Sequence, residues 1–375
     1  MKVMTVVGTR PEAIKLAPVI AALRDFSIDT IVCSTGQHQE LLAQALKVFS
    51  ITPDISLNVM IGNQSLNQLT VNLISRLETS IAKAAPDWVL VQGDTTSAFA
   101  ASLAAFYSRV KVAHVEAGLR TGDVNNPFPE EVNRQLIARL SNLHFAPTHA
   151  ARVSLEREGV NPSSIYVTGN TIVDAINLIG PKLDQDNLGS KLVDSFIRNQ
   201  SKRIILVTCH RRENFGVVFD GICDLLRRLA NKYQDCQWIF PVHPNPNIRE
   251  PVLKALSGIS NISLIEPLDY ISNLKLISKA SLIVTDSGGI QEEAPTFGVP
   301  VVIMREQTER REGVDAGFAR LAGKSAEGIE TAIHQMLNEH LRTVLAGSQN
   351  PYGDGHASRR IVERLLGQEM NEFAG

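Results

Sequence analysis

Short apolar runs rich in β-branched residues recur along the chain, separated by longer segments with helical spacing. Val3–Val7 is the first. It leads through Gly8-Thr9-Arg10 into a segment where Ile14, Ala17, Pro18, Ala21 and Ala22 share one helical face. Pro11 suits the first turn of that helix, and Pro18 is expected to kink it. Thr30–Cys33, Trp88–Val91, Val110–Val115 and Leu143–Phe145 read as further strands, with helices over Glu40–Phe49, Leu66–Lys83 and Thr95–Tyr107. Continuous apolar strands alternating with helices predict a parallel sheet covered on both faces. The same grammar restarts at Arg203–Val207 and continues through Gln237–Phe240, Ile262–Ile265, Leu282–Val284 and Val299–Ile303. The polar stretch Pro181–Lys202 reads as the seam, a linker plus a short helix. The expected fold class is therefore α/β, two doubly wound Rossmann-like domains facing a cleft. The expected boundaries are 1–180 and 181–375, with a last helix over His356–Gly367 able to pack back on the N-terminal domain.

Length and charge narrow the class. At roughly 100–200 residues per domain, 375 residues suit two domains. A formal net charge of -2 supplies no global field for nucleic acid or anionic lipid, so any anion site must be built locally. The four cysteines, Cys33, Cys209, Cys223 and Cys236, form no C-x-x-C pair and show no zinc spacing. No metal is implied, and a reducing compartment fits. The N-terminus lacks a signal-peptide layout and no apolar run reaches about 18 residues, so a cytoplasmic protein without a membrane partner is expected.

In doubly wound sheets, ligands bind beyond the carboxyl ends of the strands. The first strand ends in Gly8-Thr9-Arg10-Pro11-Glu12, which is neither G-x-G-x-x-G nor a P-loop. Arg10 and Lys15 flank the start of the next helix, where both could reach an anion or remain solvated surface charges. Asp94, in Gln92-Gly93-Asp94-Thr95-Thr96, reads either as a helix N-cap or as a site acid. Glu116 follows the strand Val110–Val115, and Glu130-Glu131 follows a proline-rich loop; carboxylates at a cleft can divide acid and base roles, although a glycine-rich loop is the alternative. In the second half, His210 stands at a strand end before Arg211 and Arg212, suited to contacting phosphate or moving a proton. His243 lies in a proline-framed loop and reads as structural or peripheral. Strand, Asp286-Ser287-Gly288-Gly289, then helix is an anion-cradle layout, with a tight, well-capped turn as the alternative. Glu293, one turn on, suits a ribose hydroxyl, and Arg310 could complete a phosphate clamp.

Together these blocks resemble the non-hydrolysing bacterial UDP-N-acetylglucosamine 2-epimerases. The resemblance runs from Gly8–Glu12 through Gln92–Thr96, His114–Arg120, Pro129–Arg134, His210–Glu213 and Asp286–Glu293 to Asn350–Gly355. It implies a glycosyltransferase-B-like fold, a homodimer, no cofactor, and interconversion of UDP-GlcNAc with UDP-ManNAc, supplying ManNAc for surface polysaccharide such as capsule. At matching positions it implies UDP binding by Arg10, Lys15, His210, Ser287, Gly288, Gly289, Glu293 and Arg310, and a catalytic set of Asp94, Glu116, Glu130 and His210. Some relatives bind a second UDP-GlcNAc as an activator, which makes Gln37, His38, Arg211 and His243 candidates for an allosteric site. Gln39 stands where relatives commonly have arginine, and Leu268 and Asn273 depart from the pattern near the uracil.

The sugar C2–H has no neighbouring carbonyl to make it acidic. Eliminating UDP across C1–C2 to 2-acetamidoglucal and re-adding it avoids a bare carbanion. The alternatives are a 2-epimerase of a modified UDP-N-acetyl sugar, a UDP-sugar glycosyltransferase on the same fold, and a non-catalytic nucleotide-sugar sensor.

Overall fold

The computed structural model describes residues 1–375 except 38, 184–188, 199–201, 212–214 and 338, and except the side chains of Gln39 and Glu339. The chain divides into two compact units, Met1–Ile179 with Tyr352–Gly375, and Gly180–Pro351. The chain thus returns to the first unit for its last 24 residues, Tyr352–Gly375.

The first unit is built on a parallel sheet of β1 (Lys2–Val7), β2 (Asp29–Ser34), β3 (Ile55–Ser56), β4 (Trp88–Gln92), β5 (Lys111–Val115), β6 (Leu143–Ala146) and β7 (Ile165–Val167). Their order is β3-β2-β1-β4-β5-β6-β7. β1 sits centrally, with Val3 paired to Thr30 on one side and Trp88 on the other. That position explains its unbroken apolar run, because a central strand is covered on both faces. The helix Leu66–Ala84 presents Leu69, Leu73, Leu77 and Ile81 to the sheet, one residue per turn, against Val6, Val89 and Val91. Each such buried aliphatic side chain contributes about 1.5–3 kcal/mol. The helix Arg10–Asp25 runs as a single element with Pro18 inside it.

The returning segment is tied down by specific bonds. The Asp174 carboxylate accepts from Ser358 N at 2.8 Å and Ser358 Oγ at 2.6 Å, which anchors the last helix, Ala357–Leu365. This helix packs on the helix Arg10–Asp25. Phe373 N donates to Val167 O at 2.9 Å and Glu372 accepts from Val167 N at 3.1 Å. The tail thereby covers the open edge of β7.

The second unit has a parallel sheet of β8 (Arg203–Thr208), β9 (Cys236–Pro241), β10 (Ile262–Ile265), β11 (Leu282–Thr285), β12 (Val301–Ile303) and β13 (Ala319–Leu321), in the order β10-β9-β8-β11-β12-β13. Trp238 and Phe240 pack against Phe219, Leu226 and Leu229 of the helix Val217–Lys232. Three strands, β3, β7 and β13, carry no clear sequence signal. All are edge strands of two or three residues, too short for an apolar run to stand out.

Both sheets change winding direction once, between β1 and β4 and between β8 and β11. Those switch points open a crevice at the carboxyl ends of the strands. The residues singled out from the sequence follow these strands and their neighbours. Among the described residues, no helix is long and apolar enough to cross a membrane.

Candidate active site

In the first unit the site starts with tight packing at the end of β1. A Cβ on Gly8 would lie 2.3 Å from Ser97 Oγ and 2.7 Å from Thr35 Oγ1, so only glycine lets the turn after β1, the loop after β2 and the first turn of the helix Thr96–Tyr107 approach this closely. Arg10 is exposed at the first position of the following helix. Glu12, two residues on, is buried and folds its carboxylate back onto the loop.

Asp94 is not the cap of the next helix. The cap is Thr95, whose Oγ1 accepts from Ala98 N at 3.0 Å. The Asp94 carboxylate instead receives Arg134 Nη2, while Asn133 Nδ2 donates to the Asp94 carbonyl at 2.9 Å. Both partners come from the helix Glu130–Leu140. The preceding carbonyl, Gly93 O, is bonded by His114 Nε2 of β5 at 2.7 Å. Burial holds His114 down to about 3, so its ring is neutral and Nε2–H is the donor. Arg134 also reaches Glu131 at 3.1 Å, and Glu131 accepts from Thr121 N at 3.1 Å. Glu131 is therefore the structural member of the acidic pair, and half-buried Glu130 opens the helix.

Glu116, one residue beyond β5, has φ 63, in the left-handed region. A non-glycine residue there costs about 1–3 kcal/mol and persists only where the surroundings hold it. Here the buried Lys15 ammonium pairs with Glu116 Oε2, and Asn170 Nδ2 approaches the same oxygen at 3.3 Å. Lys15, expected as a UDP ligand, is thus in contact with a candidate catalytic carboxylate. Gln37 accepts from Ser97 Oγ at 2.8 Å, beside the Gly8 turn.

In the second unit the loops after β8 and β11 meet at Asp286, which is fully buried. Its carboxylate accepts from His210 N and Arg211 N, each at 2.9 Å, and from Cys209 Sγ at 3.3 Å. It also lies 3.4 Å from His210 Nδ1, which holds the exposed His210 ring by its Nδ1 side. The His243 ring stacks on it, with centroids 6.1 Å apart. His243 Nδ1 accepts from Asn245 N at 3.1 Å, which leaves Nε2 as its donor.

Ser287 occupies the N-cap position of the helix Gly288–Glu293 without a capping bond from its side chain, and Ser287 N donates to Thr285 Oγ1 at 2.9 Å. That helix has only six residues. It runs on directly into the 3-10 turn Ala294–Phe297, and anion attraction at its start comes from backbone N–H groups and side-chain cations. Arg310 lies across the turn: a Cβ on Gly288 would sit 2.8 Å from its Nη1, whereas Gly289 faces open space. Arg310 Nε donates to Glu292 at 2.7 Å and Nη1 to Glu309. Burial opposes ionisation of Glu309, but Arg310, Arg305 and Arg211 together hold its carboxyl well below the usual carboxylate range. Burial beside Arg305 in turn pushes Arg211 down. Glu293 is buried on the same short helix. His38, Arg212 and Glu213 lie outside the described residues.

In the first unit the structure pairs Lys15 with Glu116, ties Asp94 to the helix that Glu130 opens, bonds Gln37 to Ser97 and leaves Arg10 exposed at the start of its helix. It gathers His210, Arg211, His243, Ser287, Gly288, Gly289, Glu293 and Arg310 in the second. A family model described as UDP-N-acetylglucosamine 2-epimerase matches residues 21–366. The chain belongs to the UDP-N-acetylglucosamine 2-epimerase family. The UDP-N-acetylglucosamine 2-epimerase of Escherichia coli (strain K12) is 48% identical over 375 residues, covering 99% of this chain and 100% of that one. The crystal structure of UDP-GlcNAc 2-epimerase from Neisseria meningitidis bound to UDP-GlcNAc is 44% identical with a TM-score of 0.90, covering 98% of this chain and 100% of that chain. A glycotransferase of kitacinnamycin, 12% identical, has a TM-score of 0.64 over 97% of this chain and 99% of that one. That likeness is of fold alone, and the two parallel-sheet domains are glycosyltransferase-B-like.

As a member of an epimerase family the chain is an isomerase. Several residues around its candidate site do not stand out from the sequence. Arg134, Asp286 and Glu12 lie inside the quoted blocks, but that Arg134 holds Asp94, that Asp286 holds His210 and that Glu12 reaches Thr95, the neighbour of Asp94, are tertiary properties. Asn170 carries no local signal at all, because it reaches Glu116 across 54 residues.

Proposed function

We propose that the chain interconverts UDP-N-acetylglucosamine and UDP-N-acetylmannosamine at C2, by eliminating UDP to 2-acetamidoglucal and adding it back. The family match over residues 21–366 carries this reading, and the Asp94 and Glu116 carboxylates, each held by a cationic side chain, support it.

In the forward step a carboxylate takes the C2 proton. The C–H electron pair forms the C1=C2 double bond, and the C1–O bond breaks with its electrons leaving on UDP. In the return step a proton reaches C2 on the opposite face and a UDP oxygen rebuilds the bond to C1. Asp94, Glu116 and Glu130 are the proton-transfer candidates, with His210 beside the departing diphosphate. Arg10, Lys15, His210, Ser287, Gly288, Gly289, Glu293 and Arg310 bind UDP. Negative charge grows on the leaving group, so fixed donors near it stabilise the transition state more than the ground state. Asp286 supports this use of His210 by fixing its ring from behind.

In this reading the enzyme is a cytoplasmic homodimer whose product feeds surface polysaccharide. Large exposed apolar residues on neighbouring helices of the first unit support the dimer, among them Val71, Tyr107 and Leu136.

Positional isotope exchange tests the chemistry. UDP-GlcNAc carrying 18O in the C1–O–P bridge, incubated without an acceptor, should return substrate with label in the non-bridging β-phosphate positions alongside UDP-ManNAc. UDP-ManNAc formed with every label still in the bridge would contradict C1–O cleavage, and turnover only with an added acceptor would favour a transferase.

A further inference from the structure

We infer that Glu12 is a positioning residue for the loop after β4: acting through Thr95, it sets where the Asp94 carboxylate sits. The inference deepens the proposed function, because it matters for turnover only if Asp94 acts on the sugar.

The bland account of Glu12 is a capping box. Glu12 is the third residue of its helix and accepts from Thr9 N at 2.7 Å, as that motif requires. The motif does not require the rest. Glu12 is 1% exposed, and both carboxylate oxygens are used. Oε2 also accepts from Gly8 N at 3.0 Å and Thr9 Oγ1 at 2.8 Å. Oε1 accepts from Thr95 Oγ1 at 2.7 Å. That last bond leaves the helix and crosses the switch point between β1 and β4. Thr95 follows Asp94 directly and caps the next helix through Ala98 N. From the other side, Arg134 and Asn133 hold the Asp94 carboxylate and carbonyl. The loop is clamped between two elements, and Glu12 supplies one jaw.

The chemistry of the four donors explains the choice of residue. Only an ionised carboxylate accepts at both oxygens without bringing a hydrogen of its own. The two backbone donors at Oε2 cannot turn away. A glutamine, or a protonated acid, must therefore place its hydrogen at Oε1, against Thr95. Thr95 already accepts from Ala98 N, so its own hydroxyl hydrogen loses its partner and the grip on the loop reverses. Burial pushes the Glu12 carboxyl up to about 7 even though all four hydrogen bonds favour the ion. Above that value Glu12 is the ionised acceptor that the four-donor geometry needs.

The full-length chain carrying Glu12→Gln or Thr95→Val, and the double variant, would be compared with wild type. Two readouts are used: hydrogen–deuterium exchange of peptide 93–98, and steady-state conversion of UDP-GlcNAc. Glu12→Gln should speed exchange in 93–98 at least tenfold and leave 357–365 unchanged. It should lower kcat at least tenfold with KM within twofold. Thr95→Val should lower kcat similarly, and the double variant should be no worse than the poorer single variant by more than twofold, since both remove one linkage. If Glu12→Gln does not fold, the Thr95→Val kcat decides. Unchanged exchange in Glu12→Gln, a kcat within twofold of wild type, or additive losses in the double variant would overturn the inference. A wild-type chain that leaves UDP-GlcNAc untouched would count against the proposed function, while the exchange readout would still decide the positioning.

Discussion

At the end of β5 a glutamate holds a backbone conformation that glycine would adopt without strain, and its carboxylate rests between Lys15 and Asn170. Asp94 is likewise held, by Arg134 and Asn133. Such fixed carboxylates suit proton transfer, where position governs rate. Replacing Asp94 with Asn, Glu116 with Gln or Glu130 with Gln should lower kcat about 10²-fold or more, the scale of a lost acid or base. UDP affinity, followed by calorimetry, should change less than about threefold for each, far below the roughly 1.4 kcal/mol that a tenfold change represents. Unchanged turnover in all three amides contradicts the assignment.

The buried Glu12 carboxyl also has a thermodynamic signature. Its folded value of about 7 lies above the ordinary 4.5. Between those values the folded chain binds the proton more tightly than the unfolded chain. The Glu12 contribution to stability is therefore fully present at low pH, declines as pH rises from about 4.5 to 7, and is flat above. Glu12→Gln removes that dependence. Relative to wild type, the variant should gain about 3 kcal/mol between pH 4 and pH 8 in urea denaturation, because each tenfold difference in proton affinity between the folded and unfolded chain is worth about 1.4 kcal/mol. A difference that stays constant across that range contradicts the buried charge.

At the level of elements, two glycines make contrasting predictions. Gly8→Ala drives a Cβ into Ser97, on the adjoining helix, and should cost about 1–3 kcal/mol of stability. Gly288→Ala meets only the tip of Arg310, a long side chain that can swing aside. It should melt within a few degrees of wild type yet bind UDP about tenfold more weakly, because Arg310 would leave the phosphate turn. Thermal melting and UDP titration on both variants separate the two effects. Equal UDP affinity in Gly288→Ala would remove Arg310 from the clamp.

These elements also show what the sequence carries. The central strands are legible because burial on both faces demands an unbroken apolar run, as in Val3–Val7 and Leu282–Val284. The edge strands β3, β7 and β13 are not, because they are too short to impose such a pattern. The candidate site is legible as blocks at strand ends, but the role of each residue within a block is not. Asp94 and Thr95 are adjacent and both are good caps; only the helix Glu130–Leu140, arriving with Arg134, draws Asp94 away and leaves the cap to Thr95. From sequence, the Ser287-Gly288-Gly289 turn suggests the start of a helix with a useful dipole. The structure adds what the sequence does not show, the Arg310 guanidinium lying against that turn.

For the whole molecule, the proposed epimerase combines two units whose candidate groups differ in kind. The first carries carboxylates with their cationic partners, and the second a histidine, a glycine turn and an arginine cluster. If the exposed apolar residues Val71, Tyr107 and Leu136 are covered by a second copy, light scattering should give twice the 41.0 kDa chain mass. Charges introduced together at Val71 and Leu136 should then yield a folded monomer, and a dimer that survives both changes would place the interface elsewhere. The central claim concerns chemistry at C2, and one experiment reaches it directly. Purified protein is incubated with UDP-GlcNAc in D2O, with no acceptor, and the sugar protons are followed by NMR. The account predicts UDP-ManNAc bearing deuterium at C2. Recovery of UDP-GlcNAc with its C2 proton intact and no UDP-ManNAc, or formation of UDP-ManNAc that retains the original C2 proton, would contradict it.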